Sequence, residues 1–144
     1  MTPISLRASL AALACIAAVT LATPSMAAMV NLKASMKASD EVPPNASKGT
    51  GSLTATYDTA SKKLSWKGNV SGLSGPATAA HFHAGEPGKN GGVVVPITGA
   101  DKGSFEGSAT LTDAQANDMM AGKWYVNIHT AANKGGELRG QLTK

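Results

Sequence analysis

The 144-residue chain carries 13 lysine and arginine residues against 9 acidic ones, a formal net charge of +4, and a single cysteine. Its basic residues are scattered and aromatic residues make up 4% of the chain, so it lacks the basic stripe interleaved with aromatic rings that is typical of nucleic-acid-binding proteins. A chain of this length is expected to form one domain around a single core, and one cysteine cannot form an internal disulfide.

The N-terminal segment has the three parts of a secretory signal peptide. Arg7 supplies a positive charge, residues 10–21 form a short apolar run, and Ser25-Met26-Ala27 is a small-x-small cleavage signal. We predict cleavage after Ala27, which removes Cys15 and leaves one domain over residues 28–144. The apolar run is shorter than the ~20 residues that a bilayer span needs. We therefore expect a secreted or periplasmic protein with no membrane span after processing.

Most of the remaining sequence consists of short segments that alternate between apolar and polar residues and are separated by Gly, Pro, Asn and Ser. Such segments predict half-buried strands. In chain order, the predicted strands cover residues 31–38, 52–57, 63–70, 80–84, 93–97, 104–110, 124–130 and 137–142. Between the sixth and seventh, Thr112 is the expected N-cap of a short helix, with Gln115 as its capping-box partner and Gly122 as its stop. The pattern predicts an all-β fold, a Greek-key sandwich or barrel of about eight strands with one short helix.

All three histidines lie on two of these predicted strands. His81 and His83 are separated by one residue, so their imidazoles should project from one face of the strand while Phe82 points to the other. His129 lies on a later strand, and a glycine-rich loop over residues 84–92 begins beside His83. If the two strands are neighbours, the three imidazoles can converge on a copper, zinc or nickel ion. The alternative is that the histidines form hydrogen bonds at the rims of loops and fix turns.

Two further charged groups belong to the candidate site. Glu137 and Arg139 are two residues apart on the last predicted strand, where one of them can orient a histidine or Arg139 can guide an anion towards a metal. The alternative is an ordinary solvated ion pair. Glu41, beside two prolines, either contributes to the site or caps a loop. A hydrolase is not expected, because the processed chain has no cysteine nucleophile and no Gly-x-Ser-x-Gly motif.

Several motifs together resemble the CHRD domain, which was named from chordin and also occurs in stand-alone secreted bacterial proteins. The motifs are Glu41-Val42-Pro43-Pro44, Ala80-His81-Phe82-His83-Ala84-Gly85, Pro87-Gly88-Lys89-Asn90-Gly91, Leu111-Thr112, Tyr125-Val126-Asn127-Ile128-His129-Thr130 and Lys134-Gly135-Gly136-Glu137-Leu138-Arg139-Gly140-Gln141-Leu142. The resemblance covers residues 30–142. Because this family has no single established activity, the resemblance implies an architecture more firmly than a function.

The segment from Ala80 to His83 is also similar to the His-x-His copper segment of Cu,Zn superoxide dismutases, and this likeness extends the fold expectation to a superoxide-dismutase-like Greek key. His129 and Arg139 occupy places comparable to a late copper histidine and the active-site arginine of those enzymes. The chain lacks their bridging histidine, their zinc-binding loop and their disulfide. The resemblance therefore implies a mononuclear copper site without zinc.

These expectations combine into one functional hypothesis and two alternatives. The hypothesis is a secreted CHRD domain that binds copper, as Cu(I) or Cu(II), through His81, His83 and His129, for copper binding or handling rather than a turnover reaction. One alternative is a copper-dependent oxidoreductase of the superoxide dismutase type. The other is a metal-free extracellular interaction module.

Overall fold

The structure is a computed structural model that describes residues 26–144. The predicted signal peptide therefore lies almost entirely outside the described residues. The strands are β1 Met29–Lys37, β2 Thr50–Asp58, β3 Lys63–Ser71, β4 Ala77–Ala84, β5 Val93–Ile97, β6 Ser104–Thr110, β7 Trp124–Thr130 and β8 Leu138–Gln141, and the helix is α1 Asp113–Met120. Single 3-10 turns cover Ala38–Asp40 and Ala100–Lys102.

The eight strands form one antiparallel sheet in the order β5-β4-β7-β8-β1-β2-β3-β6. The sheet curls until its edge strands, β5 and β6, come within contact of each other, so the barrel is nearly closed. Around this barrel, the connections from β3 to β4 and from β6 to β7 each pass over two strands, as in a Greek key. The all-β fold predicted from the sequence is confirmed.

Period-two alternation decides which side chains enter the barrel. Phe82 on β4 and Val126 and Ile128 on β7 are fully buried in the core. The ring of Phe82 meets that of Trp66 edge to face, with centroids 5.1 Å apart. Burying a side chain of this size contributes roughly 1.5–3 kcal/mol. Because Phe82 is held inside, its two histidine neighbours are directed to the outside of the barrel.

The helix begins where the sequence predicts. The Thr112 side chain accepts a hydrogen bond from the Gln115 backbone N–H at 3.2 Å, and the Gln115 side chain accepts one from the Thr112 N–H at 2.9 Å, which completes the capping box. The helix ends at Met120, just before Gly122, whose φ of 75° suits glycine. Within residues 26–144, no helix has the length and apolar character to cross a membrane.

Candidate metal centre

Strands β4 and β7 are neighbours, and their register brings the three histidines together. His129 lies opposite Ala79, one pleat along the strand from the pair formed by His81 and Asn127. Directly opposite residues share a face of a sheet, so all three imidazoles stand on the outer face of the barrel. Two loops cover this face: the segment 38–49 after β1 and the loop 85–92 after β4.

The three imidazoles form a compact cluster. One ring nitrogen from each histidine lies within 4.8 Å of the others. Nδ1 of His81 and Nε2 of His129 are 3.3 Å apart. Two nitrogens bound to one metal at ~2.0–2.1 Å with a tetrahedral angle would be separated by about 3.4 Å. This pair thus already has a suitable spacing, and the widest separation in the cluster needs to close by about 1.4 Å at most.

His83 is the most enclosed of the three and its tautomer is fixed. Its Nδ1 lies 3.0 Å from the Gly91 carbonyl oxygen, which can only accept, so Nδ1 carries the proton. Its Nε2 is buried and has no hydrogen-bond partner within residues 26–144. A buried lone pair without a donor costs free energy, and a metal ion is a natural partner for it.

His129 is arranged in the same way. Its Nδ1 donates to the Lys134 carbonyl oxygen at 2.9 Å, which leaves Nε2 as the lone pair that faces His81. Hydrogen bonds from the distal ring nitrogen to a carbonyl are the usual means by which proteins orient a metal-binding histidine.

Burial and neighbouring rings keep two of the imidazoles neutral. The pKa of His81 is lowered first by burial and then by the charges that His129 and His83 would carry. Burial also lowers the pKa of His83 and outweighs the hydrogen bond to the Gly91 carbonyl, which raises it, while the charges of His129 and Arg139 add smaller lowering contributions. The neutral imidazole is the form that binds a metal, so both groups are in the ligating state at neutral pH.

The ring of His83 is the first member of a stack of three side chains, followed by Tyr125 and Arg139. Its ring lies parallel to that of Tyr125, with centroids 4.9 Å apart and an angle of 8° between the planes. The guanidinium carbon of Arg139 lies 3.6 Å from the centroid of the Tyr125 ring. Because β7 runs between β4 and β8, the tyrosine is placed between the histidine and the arginine. The cation and the two rings restrict how far His83 can tilt.

Arg139 also holds the loop that covers the site. Only 2% exposed, it donates from Nη2 to the carbonyl oxygens of Glu86 and Lys89, at 3.1 and 2.7 Å, and from Nη1 to the Asn90 side chain at 3.2 Å. The next residue, Gly91, supplies the carbonyl that binds His83. A Cβ atom at Gly91 would lie 1.5 Å from the Ala84 carbonyl oxygen, so only glycine fits this close approach.

A family model for the CHRD domain matches residues 32–142 of the chain. The chain belongs to the CHRD domain family. A search of curated proteins and a search of solved structures each found no match. The family resemblance stated from the sequence is thereby confirmed, and all three histidines lie within the CHRD domain.

The CHRD domain places Glu137 away from the three imidazoles. Its fully buried carboxylate accepts hydrogen bonds from the Ser47 hydroxyl at 2.6 Å and the Ser74 backbone N–H at 2.8 Å, and also from Thr130 and Asn133. Burial alone would raise the pKa of Glu137, but the hydrogen bonds from Ser47, Ser74 and Thr130 lower it to about 2. This acid joins three loops and reaches the site only through Thr130, the neighbour of His129.

Glu137 and Arg139 do not pair with each other in the CHRD domain. Strand β8 begins at Leu138, so Glu137 lies in the turn before the strand and its side chain does not follow the strand alternation. None of the three ion pairs found within residues 26–144 includes Glu137 or Arg139. The solvated ion pair considered as the alternative from the sequence is therefore not formed.

Two residues that the sequence did not assign to the site take part in it. Tyr125 stacks on His83, and Asn127 donates to a carboxylate oxygen of Glu41 and to the Leu138 carbonyl oxygen. Both share the outward parity of His129, and that parity was the available sequence signal. Their partners lie on other strands and loops, so their roles become visible only in the fold.

Glu41 is a buried acid with an altered titration. Burial raises its pKa to about 7, although the hydrogen bond from Asn127 and the charge of Arg139 act in the opposite direction. In the unfolded chain the same carboxyl titrates near 4.5. Folding therefore favours the protonated form, and the contribution of Glu41 to the free energy of unfolding should rise as the pH falls from about 7 to about 4.5.

We expect Glu41→Gln to remove this pH dependence and to stabilise the protein above pH 7. A pKa raised to about 7 corresponds to a cost of up to about 3 kcal/mol for the ionised form. Urea unfolding at pH 5 and pH 8 measures the effect, with Asp40→Asn on the exposed neighbour as the control. If the difference in unfolding free energy between the wild type and Glu41→Gln were the same at pH 5 and pH 8, Glu41 would be ionised without cost.

Proposed function

We propose that this CHRD domain binds a single copper ion through His81, His83 and His129 and serves in copper binding or handling. The observation that carries the proposal is the Nε2 atom of His83, which is buried and without a hydrogen-bond partner while Nδ1 is committed to a carbonyl. One ring nitrogen of each of the three histidines lies within 4.8 Å of those of the other two. Such a set fits a metal better than it fits a hydrogen-bond network, because a network would give the buried atom a donor.

The donor chemistry supports copper over the hard cations. Three neutral imidazoles suit copper, zinc and nickel, whereas Mg²⁺ and Ca²⁺ require oxygen ligands. Among divalent first-row ions, copper binds such nitrogen sets most tightly. The similarity of Ala80-His81-Phe82-His83 to a copper segment points in the same direction, and zinc is the competing ion to test.

We propose positioning roles for Arg139 and Glu137. The guanidinium of Arg139 is buried against Tyr125 and bonded to the loop 85–92, which supports a role in holding His83 over a role in guiding anions. Glu137 would act through Thr130 on the strand end that carries His129. Neither residue would touch the metal.

We further propose that the domain works outside the cytoplasm, after cleavage of residues 1–27. In an oxidising compartment a thiol is a vulnerable copper ligand, whereas imidazole resists oxidation. A three-histidine site therefore suits an exported copper protein.

Calorimetric titration of the metal-free protein with Cu(I), Cu(II) and Zn(II) tests the proposal. We expect one copper ion per chain and, for His83→Ala, an affinity lower by more than about 100-fold, since even outer-shell changes cost 10–100-fold. Lys102→Ala, on an exposed turn, is the matched control. Copper binding to His83→Ala as tight as to the wild type would refute the site.

A second measurement separates copper binding from enzymatic turnover. We expect the copper-loaded protein to remove superoxide no faster than the same concentration of free copper. A rate well above that background would favour the dismutase-like alternative, and no binding of either ion would favour the metal-free interaction module.

A further inference from the structure

The three histidines differ in how firmly they are held. His83 donates a hydrogen bond from Nδ1 to a backbone carbonyl oxygen and stacks on a tyrosine ring. His129 also donates from Nδ1 to a backbone carbonyl oxygen. Within residues 26–144, His81 has no hydrogen bond to a backbone carbonyl, and its only polar contact is the 3.3 Å approach to His129 Nε2. Its ring meets those of His83 and His129 edge-on, and within residues 26–144 no backbone hydrogen bond fixes its rotation.

His81 also lies beside the edge of the sheet. His83 lies under the loop 85–92, and His129 is bonded to the turn after β7. On its other side, His81 lies opposite Pro96 on β5, an edge strand of the sheet. Pro96 is exposed. No described loop bonds across this side, so an incoming molecule can approach His81 over β5.

We infer that His81 is the exchangeable ligand of the copper site, through which the ion enters and leaves. This inference rests on the proposed copper site. The incoming ligand would carry a soft donor, a thioether or a thiolate, because such donors select Cu(I). In the exchange, the His81 nitrogen–copper bond breaks as the sulfur–copper bond forms. Copper keeps its oxidation state, the imidazole keeps its neutral form, and His83 and His129 hold the ion meanwhile.

The test compares transfer of Cu(I) from the loaded protein to a chromogenic chelator such as bicinchoninate. We expect His81→Ala to retain Cu(I) with affinity lowered by about tenfold, and to release it about tenfold faster than the wild type. For His129→Ala and His83→Ala we expect losses of more than about 100-fold, since each removes one of the two anchored ligands. Ser65→Ala, on the outer face of β3, is the control for handling and folding.

A measurement on the unsubstituted protein covers the case in which a variant does not fold. In the diamagnetic Cu(I) form, the ring signals of His81 should be broadened by exchange when methionine is added as a thioether probe, while those of His83 and His129 stay sharp. Equal affinity losses for all three alanine variants, or equal broadening of all three rings, would overturn the inference while leaving the copper site intact. Failure of the wild type to bind copper would instead overturn the proposed function, and this inference with it.

Discussion

Replacing Glu137 by glutamine is expected to lower the free energy of unfolding by about 3 kcal/mol at pH 7. The carboxylate accepts hydrogen bonds from Ser47, Ser74 and Thr130, and a glutamine amide group would turn a donor towards these donors. Lowering the pKa of Glu137 from 4.5 to about 2 corresponds to about the same free energy. Chemical unfolding at pH 7 measures the loss.

The pH dependence of this effect has a definite sign. The folded-state pKa of Glu137 is depressed, so its contribution is fully present above about pH 4.5 and is lost as the pH falls towards about 2. The difference between wild type and Glu137→Gln should shrink over that window. Glu106→Gln is the matched control, because Glu106 is an exposed acid whose 3.6 Å ion pair with Lys67 is worth only ~0–1 kcal/mol. Equal losses for the two variants would contradict the role of Glu137 as a buried acceptor.

Arg139→Met should affect both stability and copper binding. The substitution leaves the carbonyl oxygens of Glu86 and Lys89 and the Asn90 side chain without their donor, and it removes the cation from the Tyr125 ring. We expect a loss of about 3 kcal/mol in the free energy of unfolding, since buried acceptors that lose a charged partner are costly.

The same substitution should weaken copper binding by about 10–100-fold, because the loop that orients His83 is released. Arg139→Lys tests the geometry, since lysine restores the charge but not the planar fork of donors. We expect Arg139→Lys to recover part of the stability and little of the copper affinity. Thermal unfolding and Cu(I) competition together separate these effects. Unchanged copper affinity in a folded Arg139→Met protein would contradict a positioning role.

Much of the fold follows from local pattern. The predicted strands at 93–97, 104–110 and 124–130 match β5, β6 and β7 residue for residue. Gly92 and Gly103 directly precede the first two, and glycine is typical of turns. The helix start was equally local, since a capping box involves residues three apart. The order of the strands was not visible in the sequence, because it depends on which faces pack together across the barrel.

In the site, as in the fold, some features follow from the local sequence and others depend on contacts between distant residues. Strand parity predicted that His81 and His83 share a face and that Phe82 enters the core, and the barrel confirms it. The carbonyls that fix the tautomers lie in loops, and no periodicity predicts a loop conformation. Glu137 illustrates the limit most clearly, because its partner Ser74 is 63 residues away along the chain. The sequence suggested a pair with Arg139, which is only two residues away, but Glu137 instead binds partners that are distant along the chain.

The most direct test of the copper site is a crystal structure of the copper-loaded protein with anomalous scattering recorded at the copper edge. We expect one copper peak between His81 Nδ1, His83 Nε2 and His129 Nε2, at bond lengths of about 2.0–2.1 Å. Copper bound at other residues, or no peak between the three imidazoles in crystals soaked with a saturating concentration, would contradict it.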